Sequence, residues 1–385
     1  MSAPTTRSRS SSRTTDVLYV TVGDPRRRTG GNIYAQHMLA ALRRSGIRAR
    51  TLALDARSAG SLLDQRARVA IVDTIAAKLA APRLRALRAR GTRVIALALM
   101  SQGAQVLARR ADRTVVPSVT LARELVAAGI SRASISVIAP GKDASAPSSS
   151  KSAGRVLCVA NWSPAKGIHT LVSAIASVPG ATLDLVGDAD GPYAARVRRL
   201  LVHHGLARRV RVHANLGGAA LERRYRSAGA FVLPSVRESY GMALASALAH
   251  GLPSIACDIP ATREVAGDAA LLVAPGRVRP LADALRSLTT DRQLRDRLRS
   301  RALRRARSFP TWRRSEAAFV RLVRASPRRA RARGRRGRAW SSPARCRRCQ
   351  RASTRRRPPR RGSARSRSAA SCRSPSAPSR SSRRR

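Results

Sequence analysis

The residues best suited to chemistry follow short apolar runs. Lys166 sits in the turn NWSPAKG after RVLCVAN, and its ammonium is a compact point charge suited to phosphate oxygens. Alone, such a lysine reads as a solvated surface group. Glu238 lies in FVLPSVRESYGMALASALAHGLP, immediately before a helix opened by Ser239, Tyr240 and Gly241. A carboxylate there accepts ligand hydroxyls while the helix N-terminus holds a phosphate. The plainer alternative is a helix-terminal acid stabilised by the dipole. Gly30 and Gly31 precede another helical pattern, where bare backbone N–H groups would cradle a diphosphate. An ordinary tight turn explains that glycine pair equally well.

These residues form a site only if the fold gathers the ends of the apolar runs. DVLYVTVG, from Asp16 to Gly23, reads as a strand, followed by a turn at Thr29, Gly30 and Gly31 and an amphipathic stretch to about Ser45. VAIVDT, TRVIALALM, RTVVPS and ISVIAP then alternate with helical patterns such as AAKLAAPRLRALRAR and TLARELVAAG. That alternation predicts a parallel sheet with helical crossovers, ending at Pro140 and Gly141. KDASAPSSSKSAG is a Ser/Pro/Gly-rich connector. From Arg155 the alternation repeats through RVLCVAN, ATLDLVGD, RVRVHAN, AFVLPS, PSIACD and AALLVAP, with two charged helices over Leu281 to Ser308 and a last amphipathic one from Trp312 to Ala325. The reading is α/β with two Rossmann-like, doubly wound domains, over 16–144 and 155–308, joined by a linker at 145–154 and followed by a helix in 309–325. Segments 1–15 and 326–385 are expected to be disordered. In open parallel sheets ligands collect beyond the carboxyl ends of the strands, which is where Lys166, Glu238 and the glycines fall.

The joint order of VANWSPAKGIHTLVSAI, LDLVGD, the run from Phe231 to Pro253, and AGDAALLVAPG resembles glycosyltransferase family 4 (group 1) of the GT-B fold, over nearly all of Val17 to Ala325. The resemblance implies two domains facing each other across a cleft. It also implies transfer of a sugar from a nucleotide-diphosphate donor to an acceptor, whether glycan, lipid or small molecule. Gly187 and Asp188 would lie near the base or ribose, and Lys166 would neutralise the diphosphate. Glu238 would hold the sugar's hydroxyls, with the amides near Ser239, Tyr240 and Gly241 on the distal phosphate. Gly30 and Gly31 would close over from the first domain, where the acceptor binds. The resemblance further implies a retaining, hexosyl-type transfer with neither metal nor cofactor, because positive groups and helix dipoles stabilise the departing diphosphate. The nucleotide sugar is then a substrate, and the connector and final helix suit a hinge that closes the domains around it.

Three positions depart from the family pattern. Ser246 stands where a second Glu usually grips the ribose, and Asn161 where many members carry a phosphate-facing Arg. Ser101, Gln102 and Gly103 occupy the loop where a catalytic His is frequent, and His37 on the first helix is expected to be a helix-face residue. These departures motivate a second hypothesis, a catalytically degenerate binding or scaffold protein.

Charge raises a third. The 385 residues carry a formal net charge of +57, which points to nucleic acid or an anionic surface. Residues 326–385 alone hold 23 arginines and no Asp or Glu, with Trp340 as the one aromatic. That tail lacks the interleaved aromatics that stack bases, so nucleic acid ranks last among the partners. No signal-peptide pattern or bilayer-length apolar stretch stands out, so a cytoplasmic protein, at most peripheral at the inner membrane surface, is expected. Cys158 and Cys257 fall in apparent strands and read as buried thiols. Cys346 and Cys349 form a C-x-x-C pair, yet the tail adds only Cys372 and no His to complete a zinc site.

Overall fold

The computed structural model describes residues 15–143, 145–149, 154–214 and 216–325. The tail and its three cysteines, the first fourteen residues and part of the connector lie outside the described residues.

The first lobe holds a parallel six-stranded sheet ordered β2-β1-β3-β4-β5-β6. Its strands are β1 (Thr15–Val22), β2 (Ala49–Leu54), β3 (Ala67–Asp73), β4 (Arg93–Leu97), β5 (Arg113–Val116) and β6 (Ile135–Val137). Between them run α1 (Gly30–Arg44), α2 (Ala77–Ala80), α3 (Leu84–Ala89), α4 (Ala104–Ala108) and α5 (Val119–Ala127). The second lobe repeats the plan in the order β12-β11-β10-β7-β8-β9. Its strands are β7 (Arg155–Val159), β8 (Thr182–Val186), β9 (Val210–His213), β10 (Ala230–Leu233), β11 (Ser254–Cys257) and β12 (Ala270–Val273). The intervening helices are α6 (Ile168–Ala176), α7 (Pro192–His203), α8 (Gly218–Ser227), α9 (Met242–Ala249) and α10 (Pro260–Ala266), followed by α11 (Val278–Thr290), α12 (Arg292–Ala306) and α13 (Trp312–Arg324).

Alternation along each strand feeds two cores per sheet. On β7, Val156 and Cys158 face the layer with α6, α7 and α11, whereas Leu157 faces the layer with α8 and α9. On β1, Val17 and Tyr19 pack with α1, and Leu18 and Val20 pack with α2 and α3.

Three features differ from the sequence expectation. β2 stands as an edge strand paired only with β1, where no strand was read. Gly30 and Gly31 are the first turn of α1 rather than a loop before it, because the Thr29 hydroxyl accepts from the Asn32 amide at 3.0 Å and starts the helix earlier. The described part of the connector is docked, not free. Ser148 is 3% exposed, its amide donates to His250 O at 2.8 Å, and its hydroxyl donates to Ala228 O at 2.7 Å.

The final helix returns to the first lobe. α13 lies on α1, burying Phe319, Val320 and Val323 against Tyr34 and Met38, and the fully buried Phe319 alone is worth about 2–3 kcal/mol. Gly141 makes the crossing possible, since a Cβ there would lie 2.3 Å from the Trp312 backbone. Among the described residues no helix is long and apolar enough to cross a membrane.

Candidate functional site

The carboxyl ends of the two sheets meet. In the second lobe, the turn after β7 is pinned to the exit of β10 by the Val236 amide, which donates to Ala165 O at 2.9 Å. Gly167 follows with φ +63°, and a Cβ on it would lie 2.2 Å from Pro234 O. Only glycine allows both that left-handed backbone and that approach. The result is that Lys166 Nζ lies 2.5 Å from Glu238 Oε1, the side chains being 28% and 11% exposed. The two residues, 72 positions apart in sequence, therefore form one partly buried charge pair.

Behind Glu238, Gly241 (φ +100°) opens α9, whose first amides are free of intrahelical partners by helix geometry. Tyr240 does not face the site with its ring. The ring packs in the core with Leu233 and Leu244, and burial pushes its phenol up to about 12. Ser239 is half-buried beside it. Cys158, on β7 and fully buried, also has its thiol pushed up to about 12 by burial, so it is an inert thiol. Cys257 is buried and free as well.

Gly187 and Asp188 leave β8 next to this turn. Gly187 has φ +152°, and a Cβ there would lie 2.0 Å from Ala160 O. Asn161 knits the two exits together, its Oδ1 accepting from the Asp188 amide at 3.0 Å. The Asn161 side chain also reaches the first lobe, where Nδ2 donates to Arg28 O at 3.1 Å.

The first lobe contributes residues that sequence reasoning missed. Arg27, in the loop between β1 and α1, places Nε 2.6 Å from Asp188 Oδ2, and its Nη2 donates to the same oxygen. Arg28 lies with its guanidinium over Gly217, in the space a Cβ there would take. The run DPRRRTGG was a visible signal, since three arginines before a glycine-opened helix mark an anion-facing loop. Gly30 comes close to the start of α9, a Cβ on it lying 3.3 Å from Met242 Sδ, whereas Gly31 packs toward Leu99. The N-termini of α1 and α9 thus approach each other at Gly30 and Met242.

Other candidates sit apart. Ser246, on the second turn of α9, neighbours the buried Tyr225 phenol, and its carbonyl oxygen lies 2.7 Å from His250 Nδ1. His37 stacks on Trp312 with 3.6 Å between ring centroids and pairs with Glu316 at 2.9 Å, so it serves helix packing. Ser101 donates to Glu124 at 3.2 Å. Gly103, beside it, abuts Ala77, where a Cβ would approach within 2.9 Å. Among the described residues no group of three or more His, Cys, Asp or Glu is placed to hold a metal ion. Chemically, the gathered groups suit an anion at the α9 terminus, flanked by cations from both lobes and by two carboxylates that accept hydroxyls.

Comparison with known proteins agrees with this geometry. Residues 143–305 match the family model described as glycosyl transferases group 1. A sulfoquinovosyl transferase of Arabidopsis thaliana is 27% identical over 212 residues, an alignment that takes in 49% of this chain and only 40% of that protein's length. Sucrose-phosphate synthase from Thermosynechococcus elongatus superposes with a TM-score of 0.69 at 19% identity, covering 81% of this chain and 98% of its own. The Anabaena protein HepE, solved in complex with UDP-glucose, superposes with a TM-score of 0.67 at 16% identity, covering 81% of this chain and 100% of its own. With two parallel six-stranded α/β sheets facing each other at their carboxyl ends, the chain has the GT-B fold, and most of its second lobe carries the group 1 glycosyl transferase signature.

Proposed function

We propose that this chain is a glycosyltransferase that moves a sugar from a nucleotide-diphosphate donor, with retention of configuration and no metal, to an acceptor held by the first lobe. The observation that carries this reading is the Lys166–Glu238 pair, 2.5 Å apart at the mouth of α9. It places a phosphate-binding cation and a hydroxyl-binding carboxylate side by side, matching the phosphate and hydroxyls that a nucleotide sugar presents together. The group 1 match over residues 143–305 and the UDP-glucose bound by HepE support the same donor class.

In this reading the second lobe binds the nucleotide, with Gly187 and Asp188 at the ribose or base and Asn161 on the phosphate side. Glu238 orients the sugar through its hydroxyls. As the glycosidic bond to the diphosphate breaks, negative charge grows on the departing phosphate. Lys166, turning from Glu238 to the phosphate, and the amides of Ser239, Tyr240 and Gly241 at the α9 N-terminus stabilise that charge. Those fixed charges take the part that a metal plays elsewhere. Gly30 and Gly31, in the first turn of α1, approach from the other lobe and help exclude water.

Release of nucleoside diphosphate from UDP-glucose and other nucleotide sugars, with and without candidate acceptors, tests the reading. Lys166→Ala and Glu238→Ala are each expected to lower turnover by about 100-fold or more while leaving the protein folded. Unchanged turnover in both variants would reject the assignment.

A second reading is a donor-binding relative without transfer. The placement of Ser246 against Tyr225, and of Ser101–Gly103 against α5 and α2, favours it, since neither supplies an acid or base to the site. Tight donor binding by the wild-type chain without any turnover across the acceptor panel is the result that selects it.

A further inference from the structure

The loop between β1 and α1 carries Arg26, Arg27 and Arg28 in succession, and the reading of the site above gives none of them a task. Two of the three are held on the second lobe. Arg28 offers its carbonyl to Asn161 Nδ2 at 3.1 Å, which fixes the loop over the exits of β7 and β8. Arg27 then lies with Nε and Nη2 on a single oxygen of Asp188, and its side chain is still 60% exposed against 8% for the aspartate. Such an arrangement uses one edge of the guanidinium. Among the described residues its Nη1 has no protein acceptor. A planar fork with donors to spare, exposed beside a turn that already presents Lys166, matches phosphate oxygens in both charge and shape.

We propose that Arg27 is a ligand for the diphosphate of the donor, supplied by the first lobe and positioned by Asp188 and by the Asn161–Arg28 contact. This rests on the nucleotide-sugar reading of the site and deepens it. The site then holds two cations, each already paired with an acid: Lys166 with Glu238 and Arg27 with Asp188. A diphosphate draws on both cations at once, while the acids turn to the hydroxyls of sugar and ribose. Because Arg27 belongs to the first lobe and Asp188 to the second, the same side chain bridges the lobes through protein alone or through bound phosphate. Donor binding and lobe closure thereby become one event. The exposed guanidinium can keep one edge on Asp188 and offer its other donors to phosphate, a charge-assisted contact that matches the fork.

The test is calorimetric binding of UDP, GDP, ADP and uridine to the full-length protein and to Arg27→Ala and Arg27→Lys. The wild type is expected to bind at least one nucleoside diphosphate. Arg27→Ala should weaken that diphosphate by about 10- to 100-fold while leaving uridine binding unchanged, and Arg27→Lys should recover part of the loss. The gap between wild type and Arg27→Ala should narrow as salt is raised. Diphosphate binding as tight or tighter in Arg27→Ala would overturn the proposal and leave Arg27 as a lobe latch only. Equal weakening of UDP and uridine would overturn it too, by reducing Arg27 to a support for its loop. If the wild type itself binds no nucleoside diphosphate, the donor reading falls, and that failure is visible without any variant.

Discussion

Glu264, on α10 of the second lobe, accepts the backbone amide of Val119, the first residue of α5 in the first lobe, at 2.8 Å. Its other carboxylate oxygen takes the Thr120 amide at 2.7 Å. A carboxylate across two amides at a helix start answers both their missing partners and the positive end of the helix dipole.

This clamp is expected to hold the lobes together on the side away from Arg27. Glu264→Ala should lower stability by about 1–3 kcal/mol, and Glu264→Gln, which keeps one acceptor but no charge, by less. Denaturant titration followed by circular dichroism measures both. A loss below about 0.5 kcal/mol in the alanine variant would show that the clamp carries no weight.

A pair of glycines separates backbone strain from steric fit. Gly167 and Gly205 share nearly the same left-handed φ, +63° and +62°, but a Cβ at Gly167 meets Pro234 O at 2.2 Å whereas one at Gly205 meets nothing within 4 Å. Gly205→Ala should therefore cost about 1 kcal/mol and leave donor affinity alone. Gly167→Ala should cost about 2 kcal/mol or more and weaken UDP binding as well, because the turn must move and takes Lys166 with it. Equal effects of the two substitutions on UDP binding would contradict this account.

Acid should act through His169, in the first turn of α6. Burial first, and the nearby Arg196 charge second, push this imidazole below its ordinary value, and its Nδ1 lies 2.8 Å from the Tyr193 hydroxyl. The folded protein thus resists protonation that the unfolded chain accepts, so the unfolded state binds more protons as pH falls. The associated stability is complete above the ordinary histidine range, near 6.5, and is lost as pH drops through it. Melting temperatures at pH 7.5 and 5.5 should fall further for wild type than for His169→Gln. An identical drop in the two proteins would exclude this group as a source.

Much of this architecture was legible because buried parallel strands are short apolar runs, and RVLCVAN, AFVLPS and PSIACD are unmistakable in that respect. β2 escaped because an edge strand needs no continuous apolar run. Arg50 is exposed within it, and only Leu54 is fully buried. The boundary between α11 and α12 needed only Asp291, whose carboxylate caps the second of them by accepting the Leu294 amide at 2.9 Å. Lys166 and Glu238 were readable because each follows a strand, which fixes where its backbone must be. The arginine run before α1 was a signal of the same kind, but Arg27's partner was not legible, since Asp188 lies 161 positions away and a long side chain's reach depends on how two lobes are set. For the same reason nothing in the sequence said that Ser246 would neighbour Tyr225.

The return of α13 to the first lobe has an outcome for synthesis on the ribosome. Tyr34 and Met38 emerge early, yet the Phe319 side chain that covers them is translated some 280 residues later, after the entire second lobe. The amino-terminal half therefore waits with an uncovered apolar flank while its neighbour is made. Nascent chains halted before Phe319 should be the ones that holdase chaperones retain.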